Sequence, residues 1–387
     1  MSTPRLPAWA DWNPAAAENA WTVGIEEEIM LVDPHSYALV SRNKEVLDRL
    51  SATLGGQLDT ETHASAVEIE TKPHATVSAA VAEIASLRSK LAAGLRALDV
   101  RAAVSGTHPF AMGNGTEVSA GPRYVEIHDT MRELARREPT FAQHVHVAVP
   151  DAESATRALS QIRTHLPLLL GLAANSPFWR GRDSGMASAR TPVFSAFPRV
   201  GIPRRFDSYA EYVEAIDGLL RLNAFPEPTF VWWDVRLQPR FGTIELRITD
   251  AQSQIANVAA LTALIQCTVR LEATEGFASA QLGGLPEIID ENRFLASRDG
   301  VDGEFLDPDH GCARPARAWI EDLVSACEPH ARDLGCEAEL AGVAALAADP
   351  GYSRQRALLM AKRPPSPGSS PFKPVLAQLC DEFADDG

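Results

Sequence analysis

Apolar residues in this chain alternate between two periods, and turn residues mark where one gives way to the other. Trp21 to Val32 reads as a strand, closed by Asp33-Pro34-His35-Ser36, where proline fixes φ and aspartate bonds its own backbone. A helix is expected from Lys44 to Leu54, and a second strand from Ala66 to Lys72 that stops at Pro73. Thr76 then caps a helix whose apolar stripe is Val77, Val81, Ile84, Leu87, Leu91, Leu95 and Leu98. A short strand from Val100 to Ser105 runs into a long Gly-rich polar loop reaching Gly121. Val125 to Glu138 reads as a helix, Phe141 to Val149 as a strand, and Asp151 caps a helix through Ser160 to Leu172 that Pro167 should kink.

Asn175 to Arg205 has no clear period, yet it contains Phe178, Trp179, Phe194 and Phe197, so it reads as a substrate-facing loop region rather than a linker. Ser208 and Glu211 form a capping box for a helix to Leu222. Thr229 to Leu237 and Thr243 to Thr249 read as a hairpin closed by Gln238-Pro239-Arg240-Phe241-Gly242. Asp250 opens a helix with Ile255, Val258, Leu261, Ile265 and Leu271 inside, and Ala316–Leu334, Glu337–Ala348 and Ser353–Ala361 read as helices. No internal repeat is present. The pattern is α+β: a mainly antiparallel sheet with helices packed outside it. Residues 1–362 are expected to form a single domain, 363–374 a Pro/Ser-rich linker, and 375–387 a short terminal helix and tail.

Within the strands the polar positions are unusual. Glu26 and Glu28, Glu68 and Glu70, and His144 and His146 are each spaced by two, so each pair projects from one face of a strand. Glutamate is depleted in strands and costly to bury unpaired, so a compensating cation is expected. Glu245 and Arg247 repeat the spacing but set a fixed cation beside a carboxylate, as a site handling both Mg2+ and a phosphoryl group requires. The bland alternatives are a solvated sheet face, satisfied core histidines and an intrasheet ion pair. Repetition on several strands favours a site, and the dominance of oxygen ligands points to Mg2+ or Mn2+ over Zn2+. Arg190, Arg204, Arg205 and Arg298 lie in loop-like sequence and are further candidates for phosphate or carboxylate binding.

Composition narrows the partners. With 45% hydrophobic residues in 387, the chain has material for a large core, and its formal charge of −15 argues against nucleic acid and gives no basic patch for a membrane. Cys267, Cys312, Cys327, Cys336 and Cys380 form no CxxC or paired framework, which fits a reducing cytoplasm. The N-terminus has no signal-peptide core, and no apolar run of about 18 residues is evident. There is no GxxxxGK[ST] loop, so ATP would be held by metals and arginines, and no G-x-S-x-G elbow.

Together, V-G-I-E-E-E, V-E-I-E-T-K-P-H, Q-H-V-H-V, N-S-P-F-W and G-T-I-E-L-R-I-T-D resemble the carboxylate-amine ligase branch of the glutamate-cysteine ligase family, type 2, from about Trp21 to Gly300. The resemblance implies a glutamine-synthetase-like fold, an antiparallel sheet forming a funnel that holds ATP, divalent cations (Mg2+ or Mn2+) and an amino acid. By the same resemblance Glu26 and Glu28 are metal ligands, one or both of Glu68 and Glu70 supply a second strand of ligands, and Glu245 is a further ligand. One of His144 and His146 matches the nucleotide-side histidine; His144 is taken for the nucleotide and His146 for metal. Arg247 matches a phosphate-binding arginine, with Glu245 beside it in the catalytic set, and Arg298 is a further nucleotide candidate. T-K-P stands where the family more often has asparagine-threonine-proline, which affects contacts near Lys72. The implied reaction is amide formation through an acyl phosphate, nominally from L-glutamate and L-cysteine, with ADP and phosphate released. The alternatives are a metal-ATP phosphotransferase acting on a carboxylate or guanidino group and a noncatalytic nucleotide sensor. The partners expected are small amino acids and amines, with a homodimer left open.

Overall fold

The computed structural model describes residues 6–113, 116–137, 139–361 and 370–385. Its centre is a seven-stranded sheet made of β1 (Val23–Val32), β2 (Leu58–Thr60), β3 (Ala66–Glu70), β4 (Arg101–Ala103), β5 (Gln143–Ala148), β6 (Val235–Gln238) and β7 (Thr243–Leu246). The strands run in the order β6-β7-β5-β1-β3-β2, with β4 pairing the far end of β1, and every pairing in this sheet is antiparallel.

Alternation along these strands separates two chemistries. Ile25, Ile29, Val67, Ile69, Val145, Val147, Ile244 and Leu246 are all buried, and they join one core with the helices Val77–Ala97 and Ile255–Thr274. The Ile255–Thr274 helix is long and apolar enough to cross a membrane by length and composition, but 83% of its apolar window is buried inside this fold. Glu27 projects towards the same helical layer, where Arg88 receives it: Nε and Nη2 each donate to the Glu27 carboxylate at 2.7 Å, and both side chains are fully buried. Arg88 also donates to the carbonyls of Gln252 and Ser253 at 2.6 and 2.9 Å, tying β1 to the start of the Ile255–Thr274 helix.

Several expectations meet competing physics. Thr76 caps its helix through the Ala79 amide, and Ser208 caps the Tyr209–Arg221 helix through Glu211 N. Pro167 does not kink one helix but sits in the first turn of a second, because Ala152–Ile162 ends and Leu166–Ala173 begins around it. Thr229 to Leu237 is broken into a 3₁₀ turn, the pair Trp232–Trp233 and β6. Asp250 opens no helix: it is fully buried and accepts from Asn175 N, Ser176 Oγ and Ser188 Oγ, while the helix starts later, after Gln254. A Cβ on Gly106 would lie 2.5 Å from Asp250 Cγ, so this junction is closed around glycine. The Pro286–Asp299 helix and the hairpin of Glu304–Asp307 with Cys312–Pro315 were not anticipated from sequence. Most of the expected linker lies outside the described residues, and the Lys373–Asp385 helix buries Val375, Leu376, Leu379 and Phe383 in the main core.

Replacing Arg88 with Met leaves Glu27 as a buried, unpaired charge. The expected loss is about 3–5 kcal/mol in urea denaturation, with part of it recovered in the Glu27→Gln/Arg88→Met double variant. A loss below about 1 kcal/mol for the single variant would show that the pair does not hold β1 in place.

Candidate active site

Strand register brings the polar residues together. Glu26 lies opposite Glu70 on β3 and His144 on β5; Glu28 lies opposite Glu68; His146 lies opposite both Gly24 and Glu245; and Glu245 lies opposite Arg236. Residues directly opposite in an antiparallel ladder share a face, so these side chains form one polar surface across the sheet. Gly24 contributes no side chain to it. At the β6–β7 turn Gly242 has φ +70°, and a Cβ there would strike Ala16 at 2.3 Å, so glycine lets the hairpin close under the N-terminal segment.

The ligand-type atoms converge in three groups, each with all its atoms within 4.8 Å of one another: Glu26, Glu68 and His144; Glu26, His146 and Glu245; and Glu28, Glu61 and Glu68. His146 is oriented by Thr243 Oγ1 at 2.9 Å from Nδ1, with its Nε2 3.0 Å from Glu26. His144 Nδ1 lies 3.1 Å from Glu26 Oε2. The Nε2 of His144 is buried with no hydrogen-bond partner, and the Nε2 of His146 is buried facing Glu26. This donor set of carboxylates and outward imidazole nitrogens fits hard divalent cations.

Glu245 is held from the other side by Arg236, Arg247 and Gln238, the last at 2.8 Å. Burial raises its pKa, but Arg236 and Arg247 overcome that and hold the carboxyl well below its usual range. Glu26 is also pushed up by burial, yet His146 and His144 hold it ionised well below the ordinary value. The other end of the surface behaves in the opposite way. Burial, reinforced by the Glu61 charge, pushes Glu28 up to about 8; burial and the charges of Glu26 and Glu61 push Glu68 well up; and burial raises Glu61. Burial, with Arg247 nearby, takes His144 down to about 4, whereas Glu26 and Glu245 outweigh burial and raise His146.

Two cavities meet this surface. A wide one of about 650 Å3 is lined by Gly24, Glu26, Glu70, His146, Phe241 and Thr243, together with Lys72 and the Asn13–Asn19 segment. A narrow one of about 70 Å3 is floored by Glu28, Glu61, Arg190 and Arg247. Arg190 is buried, donates to the carbonyls of Ile248 and Arg247 at 3.1 and 3.0 Å, and leaves its Nε without a partner; Arg247 Nε also lacks one.

Glu26, Glu28, Glu68, His144, His146, Glu245 and Arg247 are therefore brought together. Glu70 shares their face, but it is exposed and belongs to none of the three groups. Arg298 is not in the site: it pairs with its neighbour Asp299 at 2.7 Å and stacks on Phe294, because it ends a helix away from the sheet. Arg204 and Arg205 are exposed and pair with Glu211 and Asp207. Glu61, which sequence reasoning missed, enters from the turn between β2 and β3, where no strand alternation marks it.

The chain matches glutamate-cysteine ligase family 2 over residues 22–375. It belongs to that family. A Rubrobacter xylanophilus relative is 39% identical over 89% of this chain and 93% of its own length, and a Roseiflexus relative is 36% identical over 85% and 87%; both carry the name "Putative glutamate--cysteine ligase". Among solved structures, the glutamate-cysteine ligase of Francisella tularensis in complex with AMP aligns over 94% of this chain and 89% of its own, with TM-score 0.67 and 12% identity. The bifunctional glutathione synthetase of Pasteurella multocida aligns over 94% and 52%, with TM-score 0.65 and 13% identity. At those identities the likeness is one of fold, and the glutamine-synthetase-like architecture expected from the motifs is the one found. Membership makes the family 2 protein an ATP-dependent ligase of the glutamate-cysteine ligase type.

The titrations set a pH dependence. Glu28, Glu61, Glu68 and His146 have raised folded-state pKa values, so their protons are retained on folding and stability falls as pH rises through those values. His144, depressed to about 4 from 6.5, acts in the opposite sense, but only below its unfolded value. The metal-free protein is therefore expected to lose melting temperature between about pH 6.5 and 8. Mg2+ binds deprotonated carboxylates, so its thermal shift should be larger at about pH 8 than at about pH 5.5. Differential scanning calorimetry checks both, and a flat profile with a pH-independent Mg2+ shift would count against this charge arrangement.

Proposed function

We propose that this family 2 ligase joins a carboxylic acid to an amine through an acyl phosphate, using ATP and Mg2+ or Mn2+. One observation carries the reading: a polar sheet face that gathers three ligand groups between a wide and a narrow cavity. Glu26, Glu68 and His144, Glu26, His146 and Glu245, and Glu28, Glu61 and Glu68 would hold the divalent cations. Bound there, these cations would neutralise phosphate charge and polarise the terminal phosphoryl group.

The wide cavity receives the nucleotide, its phosphates resting on the Glu26–His146–Glu245 end of the face. The narrow cavity receives the other substrates, with the free Nε donors of Arg190 and Arg247 turned to the acid and the transferred phosphoryl group. The acid's carboxylate oxygen bonds the terminal phosphorus as the bond to the bridging oxygen breaks, releasing ADP. The amine nitrogen then bonds the acyl carbon, the acyl C–O bond to phosphate breaks, and inorganic phosphate leaves. The proton that the amine nitrogen loses passes to the departing phosphate, and Glu61, whose Oε2 is held by the Thr62 amide at 2.7 Å, stays with the cation-holding carboxylates. Positioning and fixed charge supply most of the acceleration in such a site.

Hydroxylamine, a small generic amine, tests the reaction. With Mg-ATP and a panel of carboxylic acids that includes L-glutamate, ADP, phosphate and hydroxamate are expected in equal amounts. ADP with a stable phosphorylated acceptor and no hydroxamate would make the protein a phosphotransferase instead. Arg247→Met is expected to lower kcat by about 10²–10³-fold, the usual cost of deleting one preorganised donor to a transition-state charge. Near-wild-type kcat in that variant would remove Arg247 from the reaction.

A further inference from the structure

The wide cavity carries two groups that the metal-ligand face does not use, one on each lip. Phe241, in the β6–β7 turn, lines the cavity while 52% exposed, and meets the His146 ring edge to face with centroids 6.1 Å apart. Its neighbours fix where it stands: Gly242 closes the turn under the N-terminal segment, and Thr243 bonds His146. Lys72 stands across from it, past the end of β3, with β5 and β1 between them. There Glu26 pairs with Glu70 but Val23 bridges His74, so the β3 side holds one more residue and bulges. Thr71 Oγ1 accepts from Ile25 N at 3.0 Å and Glu83 accepts from Lys72 N at 2.9 Å, which holds the bulge in place.

Both groups answer a need that the metal face leaves. The cavity, at about 650 Å3, falls within the range of about 300–1,000 Å3 that small-molecule sites occupy. With the terminal phosphates on cations at the Glu26–His146–Glu245 end, the phosphate next to the ribose lies further out, towards the mouth, where Glu70 adds negative charge. Lys72 is the one lysine or arginine lining this cavity among the described residues. Its side chain is exposed, and its ammonium makes no hydrogen bond or ion pair among them. A lysine is a point charge on a flexible stem, suited to a phosphate oxygen that no metal holds. Gly24 lies between the lips, and a Cβ built on it would meet only His146 Cβ, at 3.9 Å, so the floor there has room for a sugar. Any nucleobase has a flat π-face that stacks on an aromatic ring. Lys72 also stands where the family more often has threonine, so a contact made through it belongs to this chain.

Resting on the ligase reading, we infer that Phe241 and Lys72 hold the nucleotide beyond its metal-bound end. The base stacks on the Phe241 ring, the ribose lies over Gly24, and the Lys72 ammonium pairs with the phosphate nearest the ribose.

Isothermal titration of the full chain with Mg-ATP, followed by displacement of Mg-ATP with AMP and with adenosine, tests this without turnover. AMP keeps the phosphate next to the ribose and is expected to bind the wild type about fivefold tighter than adenosine, the worth of an exposed ion pair. Phe241→Ala, shown to be folded by its melting curve, should weaken Mg-ATP, AMP and adenosine alike by about tenfold, with Phe241→Tyr restoring them. Lys72→Met, checked in the same way, should weaken Mg-ATP and AMP by about fivefold and leave adenosine unchanged, with Lys72→Arg restoring both. The inference is overturned, with the ligase reading left in place, by AMP binding no tighter than adenosine, by variants that bind Mg-ATP as the wild type does, or by a Lys72→Met loss as large for adenosine as for AMP. Mg-ATP binding with the expected sensitivities but no hydroxamate from any acid would remove the ligase reading while these nucleotide contacts stand. No binding of Mg-ATP to the wild type would overturn both.

Discussion

Crowding of carboxylates on one face of a sheet is the constraint on which the rest of this structure depends. Glu26, Glu28, Glu61, Glu68 and Glu245 are gathered where burial disfavours charge and each charge disfavours the next. The fold resolves this unequally. Arg236 and Arg247 keep Glu245 ionised and the two histidines keep Glu26 ionised, whereas burial outweighs the pull of Arg190 and Arg247 on Glu28 and of Arg247 on Glu61, and these two and Glu68 are pushed up. The face thus has one end balanced by the protein's own cations and another whose carboxylates are held above their usual range by burial and one another. An active site that uses metal-bound phosphate needs such a deficit, because a face neutralised entirely by arginine would have no reason to bind metal.

That deficit is tolerable only if the strands carrying it cannot part. β1 is flanked on both long edges by ladders, and from behind it is pinned by Glu27 and the fully buried Arg88. The same guanidinium bonds the backbone at Gln252 and Ser253, just past Asp250, whose carboxylate gathers Asn175, Ser176 and Ser188 and so fixes the chain leading into Arg190. Arg190 in turn bonds the backbone at Arg247 and Ile248. A chain of buried polar contacts therefore runs from the rear of β1 to the two arginines of the narrow cavity. Glu27, Arg88 and Asp250 are each paired, which is the condition under which buried polar networks specify geometry rather than weaken it, and the chain of contacts ends on the unpartnered Nε atoms of Arg190 and Arg247.

Sequence legibility follows from period. Glu26 with Glu28 and His144 with His146 could be read because a two-residue spacing in a strand leaves one outcome for their direction, and Glu27 could be separated from its neighbours for the same reason. The motifs around them resembled one family strongly enough to name its fold. Glu70 was readable as a face but not as a distance: it shares the face of Glu68 yet lies exposed at the open mouth of the wide cavity. Glu61 and the setting of Arg190 come from turns, where side-chain direction depends on tertiary contacts and no local period exists. Arg298 looked like a loop arginine with a free charge, but it closes a helix and pairs with its neighbour. Asp250 had the composition of a helix cap, and its burial at the Gly106 junction overrode that local preference.

Most of the apolar wall of the narrow cavity comes from outside the sheet that carries Glu28, although Arg190 of the floor and Phe194 of the wall share one short helix. Register fixes Glu28 on the cavity floor, since moving β1 by one residue would turn Glu26 and Glu28 into the core, a change no stable sheet accommodates. The walls come from a helix, an aperiodic stretch and a two-residue ladder that pack partly on a small apolar cluster of their own. The sheet-borne carboxylates and the aromatic wall therefore answer to different constraints, strand register for the first and the packing of a small apolar cluster for the second.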